Sequence, residues 1–199
     1  MSAVLGNEIL DMPPRRLLTR SEFERACEDG VYGPEEKLEL IGGEVYQKMT
    51  QNSPHTSGVS ALEETLRAVF AGQGYVRIRA PLALDEMSLP EPDVAVVSGS
   101  WRDYVTGHPS TALLLVEVAD SSLAFDRTYK GSLYAKAGIP EYWILNLTDR
   151  ILEVYRDPNP MTGQRFGYHY RTITRLSVTD IISPLSVPGA VIRIEDFLP

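Results

Sequence analysis

The strongest constraint on this chain is a set of short segments that are apolar almost without a break. Val94-Ala-Val-Val97, Ala112-Leu-Leu-Leu-Val116 and Tyr142-Trp-Ile-Leu145 lack the alternation of a strand with one wet face. Runs of this kind read as strands buried on both faces. Helices must then cover the sheet, so the chain is expected to be a layered α/β (α+β) protein with a mixed central β-sheet flanked by helices. With 199 residues, 43% of them hydrophobic, it is long enough to bury one substantial core.

The remaining elements follow from caps, turns and periodicity. Thr19 and Glu22 have the spacing of a capping box, and Phe23, Ala26 and Cys27 share a face of the helix that follows. Cys27 is therefore expected to be partly buried. Residues 37–46 read as a hairpin about Gly42-Gly43. Ser53 as N-cap and Pro54 at the first position open a helix with the stripe Val59, Leu62, Leu66, Val69 and Phe70, ended by Gly72 and Gly74. Residues 75–79 alternate as a strand that Leu82 and Leu84 continue. A helix over residues 126–137 links the strands at 112–118 and 141–146, which makes a right-handed crossover and a parallel pair. Residues 151–156 then pair antiparallel with 141–146, residues 157–167 form a loop, and 168–199 supply short strands and an edge segment. The organisation is an N-terminal arm, 1–17, and a single domain, 18–199.

Several function classes are excluded or disfavoured by composition. One cysteine makes neither an internal disulfide nor a Cys/His zinc cluster, which fits a reducing, cytoplasmic setting. Residues 1–16 lack the basic and apolar regions of a signal peptide, and no run approaches a membrane span. The net charge of −8 opposes non-specific attraction to a polyanion, although a bound divalent cation reverses the field locally.

The chemical anomaly is charge inside the apolar strands. Glu117 interrupts Leu113-Leu-Leu-Val116, and Asp93 begins the run that follows Glu91-Pro92. An ionised carboxylate buried alone is costly, so each needs a partner or a metal. If the two strands are neighbours, the carboxylates meet at one end of the sheet and offer Mg²⁺ the oxygen ligands it requires. Taken alone, Glu117 also fits a carboxylate satisfied by backbone amides or an arginine. Lys130, early in the next helix, could bend back over the strand end or be an ordinary solvated lysine. Asp126 is expected to cap that helix, with an outer metal role as the alternative.

These residues carry a resemblance. Glu91-Pro-Asp-Val-Ala-Val-Val97, Leu115-Val-Glu-Val-Ala-Asp-Ser-Ser122, Asp126-Arg-Thr-Tyr-Lys130 and Tyr134-Ala-Lys-Ala-Gly-Ile-Pro-Glu-Tyr-Trp-Ile-Leu-Asn146 resemble the Uma family of restriction-endonuclease-like proteins, within the PD-(D/E)XK nuclease superfamily. The likeness reaches back to Glu39-Leu-Ile-Gly-Gly-Glu-Val45 and His55 and covers roughly residues 18–157. It implies a restriction-endonuclease-like core of four or five strands with a helix on each side, plus an N-terminal hairpin and C-terminal strands. The aspartate of the superfamily motif falls on Asp93 and the acidic residue of the (D/E)XK element on Glu117. Its lysine would fall at Ala119, a departure from the pattern, and the family resembled places a lysine on the following helix, at Lys130. Glu39 corresponds to an extra acidic residue that supports the metal, or is an exposed strand carboxylate. His55 matches a family histidine that contacts phosphate or carries a proton, or it makes a structural hydrogen bond.

The expectation is thus a Mg²⁺- or Mn²⁺-dependent endonuclease acting on DNA, with Asp93, Glu117 and Lys130 catalytic and Glu39 a further metal carboxylate. His55 and Asp126 are expected as supporting residues. A homodimer would suit cutting of both strands. Two rival readings stand beside it: a catalytically inactive binding or assembly module on the same fold, and hydrolysis of a small phosphorylated substrate. Tyr142 and Trp143 read as core ahead of base-stacking platforms, and Arg77 and Arg79 as a solvated sheet face, with phosphate contact as the alternative.

Overall fold

The computed structural model describes residues 14–33, 35–49 and 51–199. Most of the expected N-terminal arm, residues 1–13, lies outside the described residues. Helix α1 (Arg20–Glu28) has the expected capping box: Glu22 N donates to Thr19 Oγ1 at 3.3 Å and Thr19 N to Glu22 Oε2 at 2.9 Å. Cys27 is exposed, contrary to expectation. Only Phe23 of this helix is buried, against Leu40 and Leu89, and the last turn opens to solvent.

Strands β1 (Leu38–Ile41) and β2 (Glu44–Gln47) form the expected antiparallel hairpin. Its turn holds Gly42 and Gly43 at φ +60° and +82°, the left-handed pair that matches strand twist and that side chains disfavour. The hairpin stands outside the main sheet and is tied to it through Leu40, which exchanges backbone hydrogen bonds with Leu89. Helix α2 (Ser53–Val69) is capped by Asn52 instead of Ser53: His55 N donates to Asn52 Oδ1 at 3.1 Å. Ser53 is already helical, and Pro54 sits in the first turn, where its missing N–H costs nothing.

The central sheet comprises β3 (Tyr75–Ile78), β4 (Val94–Val97), β5 (Leu114–Ala119), β6 (Glu141–Asn146), β7 (Ile151–Pro160) and β8 (Tyr168–Leu176). It is six-stranded in the order β3-β4-β5-β6-β7-β8. Only β5 and β6 are parallel, as the crossover required. Leu82 and Leu84 do not extend β3, because the chain turns at Arg79, where φ is +46°. The loop expected over 157–167 shrinks to 161–167, because β7 pairs with β8 as far as Pro160↔Tyr168. Pairing of β7 with β6 ends at Arg156, so Pro158 and Pro160 lie where one side of β7 is already an edge that tolerates missing donors.

Period-two alternation divides the core into two layers. Val94, Val96, Val116, Val118, Trp143 and Leu145 face α2 and the C-terminal segment. Leu62 and Leu66 of α2 are fully buried there, each stabilising the fold by roughly 1.5–3 kcal/mol. A Cβ at Gly58 would meet Leu145 Cδ2 at 3.2 Å and Val118 Cγ1 at 3.4 Å, so the glycine lets α2 lie close on β5 and β6. The C-terminal pair β9 (Ile181–Ile182) and β10 (Ile192–Arg193) adds Ile182 and Ile192 to this layer. On the other face Ala95, Leu115, Ile144, Tyr142 and Tyr155 pack against Leu133, Tyr134 and Ala135. The segment that supplies these last residues begins with α3 (Leu123–Phe125), passes through a π-helical turn at Asp126–Lys130 and ends as α4 (Gly131–Lys136). The expected helix thus starts earlier than Asp126 and contains a widened turn.

Candidate active site

The β4–β5 register pairs Val94 with Val116, and one further step sets Asp93 opposite Glu117. Asp93, just before β4, and Glu117, on the face covered by α4, thus meet at the end of adjacent strands. Asp93 Oδ2 accepts from Val118 N at 2.9 Å, and Asp93 N lies 3.4 Å from Glu117 Oε2. Each is almost completely buried, 4% and 3% exposed, so these are enclosed charges and not surface carboxylates.

The π-helical turn brings the lysine. Wide turns of this kind recur at functional sites, and this one buries both Asp126 and Lys130. Lys130 Nζ lies 3.0 Å from Glu117 Oε1 and 3.2 Å from Glu39 Oε1. Glu39 reaches this point from the hairpin and also accepts from Glu91 N through Oε2 at 3.1 Å. The solvated readings of Glu39 and Lys130 are thereby set aside. Asp126 does not cap a helix: its Oδ2 accepts from Ser122 Oγ at 2.5 Å, and its carboxyl is buried towards the site. The helix begins before it, so no free amide is left for it to cap.

Helix α2 contributes its first turn. His55 Nε2 lies 3.2 Å from Asp93 Oδ2, while Nδ1 is buried without a hydrogen-bond partner. The sequence gives Tyr134 no role and places Arg79 by default on a solvated face. Tyr134 donates its hydroxyl to Glu117 Oε1 at 2.7 Å, and its place four residues after Lys130 on a helix was the available signal. Arg79, expected on a solvated face, instead has buried Nε and Nη2 atoms without hydrogen-bond partners, with Nε 3.8 Å from Asp93 Oδ1. No sequence signal pointed to its left-handed backbone. Arg77 lies farther off, over the Tyr104 ring, and Tyr142 and Trp143 are core as expected.

The electrostatics are unbalanced. Burial pushes the Glu117 carboxyl well up, against the pull of Lys130, and Asp93, Asp126 and Glu39 push it further. Burial likewise raises Asp126 despite Lys130 and Ser122. Asp93 goes the other way: burial opposes ionisation, but His55 and the Val118 amide hold it below its ordinary value. Burial alone would depress Lys130, yet Glu117, Glu39, Asp126 and Asp93 together hold it well above the usual lysine value.

These groups open on a cleft of about 160 Å³, room for an ion and several waters. Five carboxylates line it (Glu39, Asp93, Glu117, Asp120 and Asp126) against two lysines, Lys48 and Lys130. Among the described residues no three His, Cys, Asp or Glu side chains converge in metal-holding geometry. Magnesium commonly takes only one or two carboxylates, with water and phosphate oxygens completing its shell. Asp93 and Glu117 therefore suit it in donor chemistry, and the surplus of acid calls for a cation.

No helix among the described residues is long and apolar enough to cross a membrane. No curated protein matches the chain. A solved structure from Anabaena variabilis, described as a "putative nuclease belonging to DUF820", aligns with a TM-score of 0.65 and 14% identity over 91% of this chain and 97% of that one. At that identity the likeness carries the fold alone, a mixed sheet with flanking helices. The Uma2 family model, described as "Putative restriction endonuclease", matches residues 20–195, and this chain belongs to that family.

Proposed function

We propose that this chain is a Mg²⁺- or Mn²⁺-dependent nuclease that hydrolyses DNA phosphodiester bonds. The observation that carries the reading is the buried group Asp93, Glu117 and Lys130, brought together from two strands and a π-helical turn at the floor of a cleft. Asp93 and Glu117 would hold the ion. When bound, the ion would polarise the phosphoryl group and lower the pKa of a water. Lys130, protonated at Nζ, would face the scissile phosphate and offset the charge that grows there during attack.

The lysine absent from Ala119 is, on this reading, replaced in space by Lys130, whose stem reaches Glu117 from the neighbouring helix. Both Glu39 oxygens are engaged, one by Lys130 and one by a backbone amide, which supports a role in orienting the lysine ahead of direct ligation. His55 would fix Asp93 through Oδ2, while Oδ1, approached by Gln51 Nε2 at 3.5 Å and Arg79 Nε at 3.8 Å, would be the oxygen that turns to the ion. Asp126 supplies outer negative charge.

The test is nicking of plasmid DNA with Mn²⁺. Wild type is expected to cut, with Asp93→Asn inactive and Lys130→Ala impaired by on the order of a hundredfold. Cleavage unchanged in Asp93→Asn would overturn the site, and cleavage unchanged in Lys130→Ala would remove the lysine from it.

The acid surplus also favours the second reading, an inactive binding module, since an acidic cleft repels phosphate when no ion is bound. A module predicts no Mn²⁺ uptake at Asp93; a nuclease predicts uptake there before DNA engages.

A further inference from the structure

One wall of the cleft is aromatic. Tyr46, from β2, and Phe125, from α3, line it together with Met49, which is 55% exposed. The two rings pack at 5.0 Å between centroids. Behind Phe125 lies Tyr129, stacked on it at 5.1 Å and 18°, and the Arg165 guanidinium sits 5.2 Å from the Tyr129 ring. All three aromatic rings are half-buried. A ladder of cation, ring and ring thus runs up to the cleft and presents aromatic surface beside the carboxylates.

Apart from Arg79, whose Nε and Nη2 lack hydrogen-bond partners beside Asp93, the described cations around this cleft are already engaged. Lys130 is held by Glu39 and Glu117, Lys48 by Glu91, and Arg15 and Arg165 by Glu44. Duplex DNA is held chiefly by phosphate neutralisation, and a chain of net charge −8 with paired cations offers little of it. Stacking does not depend on free cations, but it needs an exposed base face, which a duplex hides and a single strand offers.

We propose that the substrate of this site is a DNA strand with an unpaired base, stacked against Phe125 and Tyr46 while its phosphate lies over Asp93 and Glu117. The chemical identity of the ligand rests on the nuclease reading above. Met49, Asn52 and Ser121 line the rest of the cleft. Such binding depends weakly on base identity and only shallowly on salt.

The test separates the two claims by measuring binding and cleavage apart. Binding is followed by fluorescence anisotropy of the full-length protein in Ca²⁺, with three labelled probes: a short single strand, the same strand made abasic, and its duplex. The single strand is expected to bind about tenfold tighter than either of the others. Phe125→Leu, which keeps an apolar group at the site, is expected to lose that advantage while abasic binding stays the same. Equal binding of abasic and intact strands overturns the platform, as does a duplex bound as tightly as the single strand, or no binding of any probe. The abasic comparison is made on wild type and stands even if the variant does not fold. Cleavage in Mn²⁺ is then scored on its own. Preference for single strands without cleavage keeps the platform and removes the nuclease; Asp93-dependent cleavage that favours duplex keeps the nuclease and removes the platform.

Discussion

Glu117 and Glu153 occupy the same row of the same sheet face, separated by Ile144, which pairs with each of them. Both are buried, and both receive a cation from the same π-helical turn, Lys130 in one case and Arg127 in the other. Each also accepts a tyrosine hydroxyl, Tyr134 at 2.7 Å and Tyr155 at 2.8 Å. Their electrostatic outcomes are nevertheless opposite. Glu153 has Arg127 across both oxygens and Asn146 Nδ2 at 3.1 Å, so its carboxyl sits below its ordinary value in spite of burial. Burial is the largest influence on Glu117, and its single lysine, shared with Glu39 and set against Asp93 and Asp126, does not offset it, so the Glu117 carboxyl sits above. A matched buried carboxylate is structure; a buried carboxylate with too little positive charge is, on the reading proposed above, where a cation would bind.

The largest expected effect is on activity. Asp93→Asn or Glu117→Gln should lower Mn²⁺-dependent cleavage by more than about a hundredfold, whereas Glu153→Gln should leave it within about tenfold. Equal losses in all three, measured by plasmid nicking, would erase the distinction between the two carboxylates.

Stability should move in opposite directions. Glu153→Gln leaves Arg127 without its anion and is expected to cost about 2 kcal/mol, moderated because Arg127 is one-third exposed. Metal-free Glu117→Gln leaves Lys130 paired with Glu39 and removes excess charge, so it should gain about 1 kcal/mol. Urea denaturation in the presence of a chelator measures both.

The pH dependence sharpens the contrast further. Glu153 has a depressed folded pKa, so its contribution is present above the unfolded value of about 4.5 and is lost as pH falls through the folded one. Glu117 has a raised folded pKa, so the folded state binds the proton more tightly and gains stability as pH falls from neutral towards about 4.5. The advantage of Glu117→Gln over wild type should therefore shrink on mild acidification, while the deficit of Glu153→Gln should persist until pH drops below about 4.5. A Glu117→Gln advantage that grows on acidification would contradict the assignment.

The smallest expected difference concerns the tyrosines. Tyr155→Phe and Tyr134→Phe should each cost about 1 kcal/mol or less. Only Tyr134→Phe, which removes one of the two donors on Glu117 Oε1, should change Mn²⁺ affinity, and calorimetry distinguishes the two.

The sequence made Glu117 and Asp93 legible for a simple reason. Charge inside an apolar strand is visible without a structure, and two-residue periodicity with an antiparallel register then brings the pair together. Lys130 and Glu39 were legible only through family resemblance, because their meeting depends on a π-helical turn and on a hairpin tethered through Leu89. Neither has a signature in local periodicity. Asp126 was misread as a cap because the helix begins three residues earlier, at Leu123. The extension of β7 through Pro158 and Pro160 was hidden by prolines that normally mark loops and are tolerated where β6 has ended. The family match extends to residue 195, so β7, β8 and the C-terminal strands fall within it although the motifs stop near 157.

The central claim is that the unmatched acid at Asp93 and Glu117 holds a divalent cation. Titration of the metal-free protein with Mn²⁺ by isothermal calorimetry tests it most directly. Saturable binding to wild type that disappears in Asp93→Asn, with Glu153→Gln unaffected, is the predicted result; equal binding by wild type and Asp93→Asn would contradict it.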